Sequence, residues 1–250
     1  MGENCEKMKT GKKRKLRIPK IHPIHPEGVE ILVGLFIFIL AVNVALYYFA
    51  SKTVFNICLG IGIVAFLFVA NFFRSPRRMT EHEEDCVIAP ADGKIVAIEP
   101  CIETEYFKEE RMKVSIFMSI FNVHVNWVPI GGLVKQSTHH SGRFQAAYLP
   151  KSSSENEHST IVIESDCGTE IVMNQIAGAL ARRIVTYPKD GDYVDMNNHL
   201  GFIKFGSRID LYLPMNAEIL VKMNQLTMGN KTPIARLKTE ENIETNQENS

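Results

Sequence analysis

Two long apolar stretches near the N-terminus dominate the pattern of hydrophobic and polar positions. Residues 31–50 and 54–73 each form a run of 20 residues without a charged side chain. A hydrocarbon core about 30 Å thick needs about 20 helical residues, so each run is long enough to span a membrane. Only Ser51, Lys52 and Thr53 separate the two runs. The pattern therefore predicts a two-helix transmembrane hairpin with its turn at one membrane surface.

The flanks of the two runs carry the charges that orient such a hairpin. Residues 1–20 contain eight Lys or Arg and two Glu, and Arg74, Arg77 and Arg78 follow the second run. Positive residues are retained on the cytoplasmic side, so both flanks are expected there. A cleaved signal peptide would need a shorter leader and a small-residue cleavage site. A pair of buried core helices is the other alternative, which the all-round hydrophobicity of both runs disfavours.

From Cys86 onward the pattern changes to short apolar runs separated by turn residues. Runs of this length with many β-branched residues are typical of strands. The strand-like runs are residues 87–89, 94–98, 114–118, 160–163, 170–173 and 208–213. We expect one helix at about 175–184 and a polar loop at 151–159. The prediction is a β-rich (α+β) domain that follows the hairpin.

Four segments result from these patterns. They are a basic N-terminal segment (1–28), the hairpin (29–73), the β-rich domain (74–237) and a polar tail (238–250). The formal net charge is +0, so composition predicts no nucleic-acid partner. The cysteines are odd in number, and no CxxC pair occurs among Cys5, Cys58, Cys86, Cys101 and Cys167. We therefore expect reduced thiols, and neither a disulfide framework nor a metal site.

The dipeptide Gly206-Ser207 offers a chemistry beyond turn formation. A serine hydroxyl can attack the carbonyl carbon of the preceding residue if the peptide between them is distorted, and glycine reaches distorted backbone shapes at low cost. β-Elimination of the resulting ester splits the chain, and the dehydroalanine left behind hydrolyses to a pyruvoyl group and ammonia. That ketone is an electrophile that no ordinary side chain supplies. Because Gly-Ser is usually a turn, the interpretation depends on the motifs around it.

Four ordered motifs supply that context. They are Ala-Pro-Ala-Asp-Gly-Lys at 89–94, Phe-Met-Ser-Ile-Phe-Asn-Val-His-Val-Asn at 117–126, Gln-Ile-Ala-Gly at 175–178 with Ala-Arg-Arg-Ile-Val at 181–185, and Phe-Gly-Ser-Arg at 205–208 with Asp-Leu at 210–211. In type and order they resemble the motifs of the short (archaeal and bacterial-type), pyruvoyl-dependent phosphatidylserine decarboxylases. The resemblance covers nearly all of residues 74–214, and the paired membrane spans fit the same group.

The resemblance implies a barrel-sandwich-like fold and an enzyme of phospholipid biosynthesis. Such an enzyme converts phosphatidylserine to phosphatidylethanolamine and CO2 through a Schiff base, with the pyruvoyl group from Ser207 as its cofactor. Cleavage of the proenzyme between Gly206 and Ser207 would give a β chain of residues 1–206 and an α chain of residues 207–250. A dimer of such heterodimers is one assembly that the resemblance allows. The expected location is the cell (inner) membrane, with the catalytic domain on its cytoplasmic side.

The resemblance also assigns site residues. Asp92 and His124 lie in motifs that carry functional residues in relatives, and in longer forms an Asp-His-Ser set drives self-cleavage. The longer forms have two histidines three residues apart before a proline, whereas here Trp127 stands in place of the second histidine and Pro129 follows. In an ungapped alignment His124 matches the first histidine, which would serve decarboxylation. For Asp92 a turn-capping role is the alternative.

Several assignments stay open at this stage. The base for self-cleavage has candidates by residue type alone, namely His158, His199 and the pair His139-His140. Arg182 and Arg183 would bind the lipid phosphate or the serine carboxylate, or they form a solvated pair.

Two other protein classes fit the sequence less well. A lipoyl or biotinyl carrier needs a lysine at an exposed hairpin tip, but Lys204 lies between Ile203 and Phe205 in a strand-like run. A zinc endopeptidase with a similar β core needs a His-x-His pair, and residues 124–126 lack the second histidine.

Overall fold

The computed structural model describes residues 14–15 (backbone only), 22–79, 81, 83–142, 156–178, 183–204 and 207–238. The chain divides into two compact units. One comprises Pro19–Arg77, and the other comprises Arg78–Ser250 together with Met1–Ile18. The first unit contains the apolar runs, and the second contains the β-rich domain.

The first unit is built from two helices, α1 (Pro26–Phe49) and α2 (Lys52–Phe72). The ring of His25 accepts a hydrogen bond from a first-turn N–H of α1 at 3.3 Å. The hydroxyl oxygen of Ser51 caps α2 in the same way at 3.4 Å. Proline opens α1, where its missing N–H costs nothing. Both predicted apolar spans are therefore confirmed as helices, and the first helix begins ahead of its apolar run.

The two helices pack along each other as an antiparallel hairpin. A Cβ added at Gly62 would lie 2.9 Å from the Ile39 side chain, so the glycine lets α2 approach α1 closely. The rings of Phe36 and Phe66 meet edge to face at 6.2 Å. Both helices are long and apolar enough to cross a membrane, and almost none of either is buried. Core helices of a soluble protein would be mostly covered, so this pair indicates association with a membrane.

The second unit is built from short strands with turns between them. Within the described residues the strands are β1 (Arg14–Lys15), β2 (Cys86–Ile88), β3 (Gly93–Ile102), β4 (Glu110–Met118), β5 (Val125–Trp127), β6 (Gly132–His140), β7 (His158–Ser165), β8 (Glu170–Ala177), β9 (Ile184–Thr186), β10 (Asp192–Val194), β11 (His199–Ile203), β12 (Ser207–Leu213), β13 (Glu218–Ile219), β14 (Leu226–Thr227) and β15 (Pro233–Arg236). All six predicted strand runs are confirmed, and most strands extend beyond the run that predicted them.

The strands assemble into three sheets in the described part of the chain. The largest has nine strands in the order β1-β10-β6-β7-β8-β12-β4-β3-β14, with every pair antiparallel except β1 and β10. The smaller sheets have the orders β5-β11-β9 and β13-β15-β2. The prediction of a β-rich chain with an apolar helical hairpin is thereby confirmed.

Strand β12 lies inside the large sheet, between β8 and β4, and is buried on both faces. Its residues Ile209, Leu211 and Leu213 face the main apolar core, while Tyr212 packs on the opposite face. Alternate residues of a strand point to opposite faces, and residues directly opposite each other in a ladder share a face. The register of β12 with β4 and β8 therefore decides which side chains can meet Ser207.

The expected helix at about 175–184 is wrong where the structure describes the chain. Residues up to Ala177 belong to β8, and Ile184 begins β9. Pairing of β8 with both β7 and β12 outweighs the local helix preference of this segment. Residues 179–182 lie outside the described part. Of the polar loop expected at 151–159, residues 151–155 lie outside the described part, and residues 158–159 belong to β7.

A loop between β3 and β4, residues 103–109, covers the outer face of the large sheet. The carboxylate of Glu103 accepts hydrogen bonds from the backbone N–H groups of Glu105, Tyr106 and Phe107 at 2.6–2.9 Å. The rings of Tyr106 and Phe107 then pack over the apolar cluster of this face, which contains Val162, Val172 and Tyr212.

Candidate active site

Ser207 is the first residue of the central strand β12. It lies opposite Met118 of β4 and Ala177 of β8, and its side chain is completely buried. The Ser207 hydroxyl lies 3.2 Å from the Met118 sulfur, which is a weak acceptor. Gly206 falls outside the described residues. Ser207 is therefore held in place by the neighbouring strands β4 and β8 on its two sides.

A chain of hydrogen-bonded amides and a hydroxyl reaches the Met118 sulfur that Ser207 contacts. The amide nitrogen of Asn126 lies 3.8 Å from the same Met118 sulfur, so it shares a neighbour with Ser207. Gln175 donates to the Asn126 oxygen at 2.7 Å, and the Thr186 hydroxyl lies 2.7 Å from the Gln175 oxygen. Such a network holds Asn126 in one orientation. Asn126 and Gln175 both lie in the sequence motifs, but the motifs assigned no role to either. Their contact joins positions 49 residues apart, which a local pattern does not reveal.

Close backbone packing supports the same network. Gly201 of β11 lies opposite Thr186 of β9. A Cβ at Gly201 would overlap the Val185 carbonyl oxygen and would lie 2.9 Å from the Gln175 amide nitrogen. A larger residue would therefore separate β11 from β9 and shift the amide that orients Asn126.

His124 is completely buried just before β5. Its Nδ1 lies 3.0 Å from the carbonyl oxygen of Asn122, and its ring lies 6.3 Å from the ring of Phe202. A carbonyl oxygen only accepts, so Nδ1 carries the proton in the neutral ring and Nε2 keeps its lone pair. This tautomer makes Nε2 the nitrogen that can exchange a proton with a substrate.

Asp92 forms a two-pronged ion pair with Arg78. One carboxylate oxygen lies 2.8 Å from Nη2 of Arg78, and the other accepts from Nη1 and from the Gly229 N–H. Arg78 also donates to the Gly229 carbonyl oxygen at 2.9 Å. Among the described residues, the structure gives Asp92 these partners and no hydrogen bond to His124.

In the ungapped alignment with the longer forms, Trp127 stands at the position of the second histidine. It is completely buried, the Arg78 guanidinium lies 4.8 Å from its ring centre, and His199 meets it edge to face at 5.7 Å. His199 lies opposite Trp127 in the ladder of β11 and β5. Burial lowers the pKa of His199 to about 4, so this imidazole is neutral at pH 7. A neutral histidine is thus present next to the substituted position.

The other candidate histidines divide between the two faces of the large sheet. His140, His158 and Ile176 share a rung with Arg208, which puts them on the face opposite to Ser207. Burial opposes protonation of His158, but hydrogen bonds to Glu105 and to the Asn156 carbonyl raise its pKa.

His139 points the other way. It shares a rung with Ser159, Gln175 and Ile209 on the face of Ser207, and its side chain is half exposed. The register therefore disfavours His140 and His158 as bases for cleavage at Ser207. His199 belongs to the sheet of β5, β11 and β9, so this register does not test it.

A buried ion pair follows Ser207 directly. Arg208 donates two hydrogen bonds of 2.7 Å to the carboxylate of Asp210, and both side chains are nearly inaccessible. Burial alone would lower the pKa of Arg208, but the hydrogen bonds and charge of Asp210 raise it instead. Of the two arginines proposed from sequence, Arg182 lies outside the described residues and Arg183 is exposed. Arg208 is the buried arginine nearest to Ser207 in sequence.

Comparison with known proteins identifies the family. A sequence model of the phosphatidylserine decarboxylase family matches residues 65–235. The chain is 54% identical over 217 residues to the phosphatidylserine decarboxylase proenzyme of Bacteroides fragilis, a match that covers 86% of this chain and 95% of the relative. Proenzymes of the same name from Parabacteroides distasonis and Cytophaga hutchinsonii are 52% and 48% identical, covering 86% and 85% of this chain and 98% and 97% of the relatives. With more than half of its length matched, the chain belongs to the phosphatidylserine decarboxylase family.

Proposed function

We propose that this chain is a proenzyme that cleaves itself between Gly206 and Ser207 and then decarboxylates phosphatidylserine with a pyruvoyl group made from Ser207. The observation that carries the proposal is the placement of Ser207, a fully buried serine at the start of a strand that is paired on both sides. A surface Gly-Ser turn would show neither feature. Family membership supports the substrate.

Self-cleavage would begin when the Ser207 oxygen attacks the Gly206 carbonyl carbon while a base accepts the hydroxyl proton. The amide nitrogen of Ser207 leaves, so an ester replaces the peptide bond. Loss of the Ser207 α-proton then expels the Gly206 carboxylate, and hydrolysis of the dehydroalanine releases ammonia. His199 is the candidate histidine whose charge state suits this base, because burial keeps its imidazole neutral at pH 7.

The residues around Ser207 fit a pyruvoyl group at this position. When present, the ketone supplies an electrophile for the substrate amine and an acceptor for the electrons that carbon dioxide leaves behind. The two ladders of β12 would hold the new chain end in place. Asn126, oriented by Gln175, would donate a hydrogen bond into the site. Nε2 of His124 would accept a proton from the substrate ammonium group and deliver it to the decarboxylated carbon.

The cleaved fragment would remain part of the fold. Residues 207–250 include β12, β14 and β15, which pair with β4 and β8, with β3 and with β2 of the longer fragment. We therefore infer that the two chains stay associated as one heterodimer without a covalent bond. The Arg208–Asp210 pair sits within the smaller chain and would travel with it.

The helical hairpin would place this domain beside its lipid substrate. The basic flanks favour a cytoplasmic position for both ends of the hairpin, and hence for the catalytic domain at the inner membrane. A headgroup-proximal domain explains why a lipid, and not free serine, would be the substrate.

Intact-mass measurement of the purified protein tests the proposal. We expect two chains, residues 1–206 and 207–250, with the smaller lighter than a serine-initiated fragment by the mass of one ammonia and resistant to Edman sequencing. Ser207→Ala should stay uncut and inactive. Ser115→Ala is a matched control, since Ser115 is also fully buried in the same sheet, and this variant should cleave and release CO2. Active protein consisting of one uncut chain would refute the mechanism.

A further inference from the structure

Three potential metal ligands meet on the face of the large sheet opposite to Ser207. His140 of β6 and His158 of β7 are direct partners across a ladder, and their rings stack at 4.6 Å with an angle of 12°. Glu105 reaches them from the loop 103–109 that covers this face. The loop is itself fixed by the Glu103 carboxylate, so Glu105 is held in place by its own backbone.

The distances suit a small ion between these groups. Oε1 of Glu105 lies 2.6 Å from Nε2 of His158, and Oε2 lies 3.6 Å from Nε2 of His140. All three ligand atoms lie within 4.8 Å of one another. Zinc–ligand bonds of about 2.0–2.2 Å in a tetrahedron separate ligand atoms by about 3.4 Å. Shifts of roughly 1 Å in side chains alone, with no change of the strands, would complete that geometry.

The surroundings of two of the ligands resemble the outer shell of a metal site. Nδ1 of His158 lies 2.8 Å from the Asn156 carbonyl oxygen, which leaves Nε2 directed at Glu105. Asn156 is held in turn by a 2.6 Å hydrogen bond to the Ala177 carbonyl oxygen. The Thr160 hydroxyl donates to Oε2 of Glu105. Metal-binding histidines are commonly oriented by a backbone carbonyl in this way, and ligating carboxylates are themselves hydrogen-bonded.

A second observation points to a missing ligand. Nε2 of His140 is inaccessible to solvent and makes no hydrogen bond to any residue that the structure describes, although its ring is partly exposed. A buried nitrogen without a partner is costly, and the carboxylate oxygen at 3.6 Å is too far for a hydrogen bond. A cation placed between Glu105 and the two rings would satisfy this nitrogen.

We propose that Glu105, His140 and His158 bind one divalent transition-metal ion of the zinc type, with a fourth position open to water. Two imidazoles and one carboxylate are a donor set that zinc accepts. The ion would tie the loop 103–109 to β6 and β7 across the outer face of the sheet. Because this face is opposite to Ser207, the ion would stabilise the domain and take no part in the chemistry at Ser207.

The test measures zinc and cobalt binding by the full-length protein in detergent. After chelation and dialysis, the protein is titrated with Zn2+, and with Co2+ while the visible spectrum is recorded. We expect one equivalent of either ion, and a Co2+ spectrum of tetrahedral type. His140→Ala and Glu105→Gln should each weaken binding at least about tenfold, since loss of an outer-shell partner alone costs about 10–100-fold. Thr160→Val removes such an outer-shell partner, so it should weaken zinc binding by about 10–100-fold.

His139→Ala is the matched control, because His139 points to the other face of the sheet and lies beside Glu157 instead of Glu105. It should bind zinc as the unmodified protein does. In chelator, the unmodified protein and His140→Ala should have the same melting temperature. Added Zn2+ should raise the melting temperature of the unmodified protein only. The proposal is overturned if the unmodified protein binds less than a tenth of an equivalent, or if His140→Ala binds zinc equally well.

Discussion

His124 is the residue whose role the substitution at Trp127 leaves most open. With Nδ1 held as a donor to the Asn122 carbonyl oxygen, Nε2 could take a proton from the substrate ammonium group and pass it to the decarboxylated carbon. We expect His124→Ala to cleave normally and carry the pyruvoyl group, yet to release CO2 about 10²–10⁴-fold more slowly. Pulse-chase gels beside a CO2-release assay separate the two activities. The exposed His22 offers a control, since His22→Ala should behave as the unmodified protein in both assays.

The opposite outcome is equally informative. If His124→Ala stays as one chain, His124 is the cleavage base and the ungapped alignment with the longer forms is wrong. Asp92→Ala helps to interpret either result, because Asp92 pairs with Arg78 beside Trp127. Slow processing would indicate that this pair supports cleavage, and normal processing would indicate a purely structural ion pair.

The Arg208–Asp210 pair has a predictable energetic signature. Both side chains are almost fully buried, so Asp210→Asn would remove the carboxylate charge that accepts both guanidinium hydrogen bonds and keep the charge of Arg208 inside the sheet. We expect a loss of about 3–5 kcal/mol in the free energy of unfolding. Chemical denaturation in the uncut Ser207→Ala background measures this loss on a single chain.

Replacing both partners gives the control for this pair. Arg208→Met combined with Asp210→Leu removes the charges together, and such replacements are often neutral or stabilising. The double variant should therefore be more stable than Asp210→Asn. Equal destabilisation of both variants would mean that shape, and not charge, accounts for the effect.

Residue identities were predictable where a motif carried them, and residue partners were not. Ser207, His124 and Asp92 could be singled out from short local patterns. Arg78 as the partner of Asp92, and Gln175 as the partner of Asn126, depend on contacts across 14 and 49 residues. Sequence periodicity contains no information about such distances.

At the level of elements, the pairing of β5 with β11 predicts a pH effect. The ladder buries His199 against Trp127, and burial lowers its pKa to about 4. Between about pH 6.5 and 4 the unfolded chain binds a proton at this residue that the native domain does not. The free energy of unfolding therefore does not depend on His199 above about pH 6.5. As the pH falls from there toward 4, it decreases by at most about 1.4 kcal/mol per pH unit.

His199→Phe keeps an aromatic ring beside Trp127 and removes the titrating group. Thermal midpoints measured from pH 7 to 4 in the uncut background should depend less steeply on pH in this variant. The two curves should converge near pH 7 once packing differences are subtracted. Parallel curves would show that His199 is not the residue that titrates in this window.

Element type followed from sequence wherever one periodicity prevailed. The two apolar runs and the six β-branched runs were predicted correctly. The segment around Gln175–Ala177 was not, because its amide and small residues carry no strand signal and its conformation is imposed by β7 and β12. The strands β5 and β9 were missed because each has only three residues, too few to show a period.

At the scale of the whole molecule, the hairpin predicts a topology. In a background without native cysteines, Lys52→Cys should react with an impermeant thiol reagent added outside intact cells. Ser250→Cys should react only after the membrane is opened. Labelling of Ser250→Cys in intact cells, without labelling of Lys52→Cys, would reverse the assigned orientation.

The two-residue link between α1 and α2 has a consequence for biosynthesis. With both flanks on one side, Lys52 is the charged residue at the turn that has to cross the bilayer. Moving one such group to mid-membrane costs about 2.5–3.5 kcal/mol on insertion scales, which two apolar helices readily offset. In the proposed orientation the anchor would insert from the side on which the protein is made, and the β-rich domain would fold and mature there without waiting for translocation.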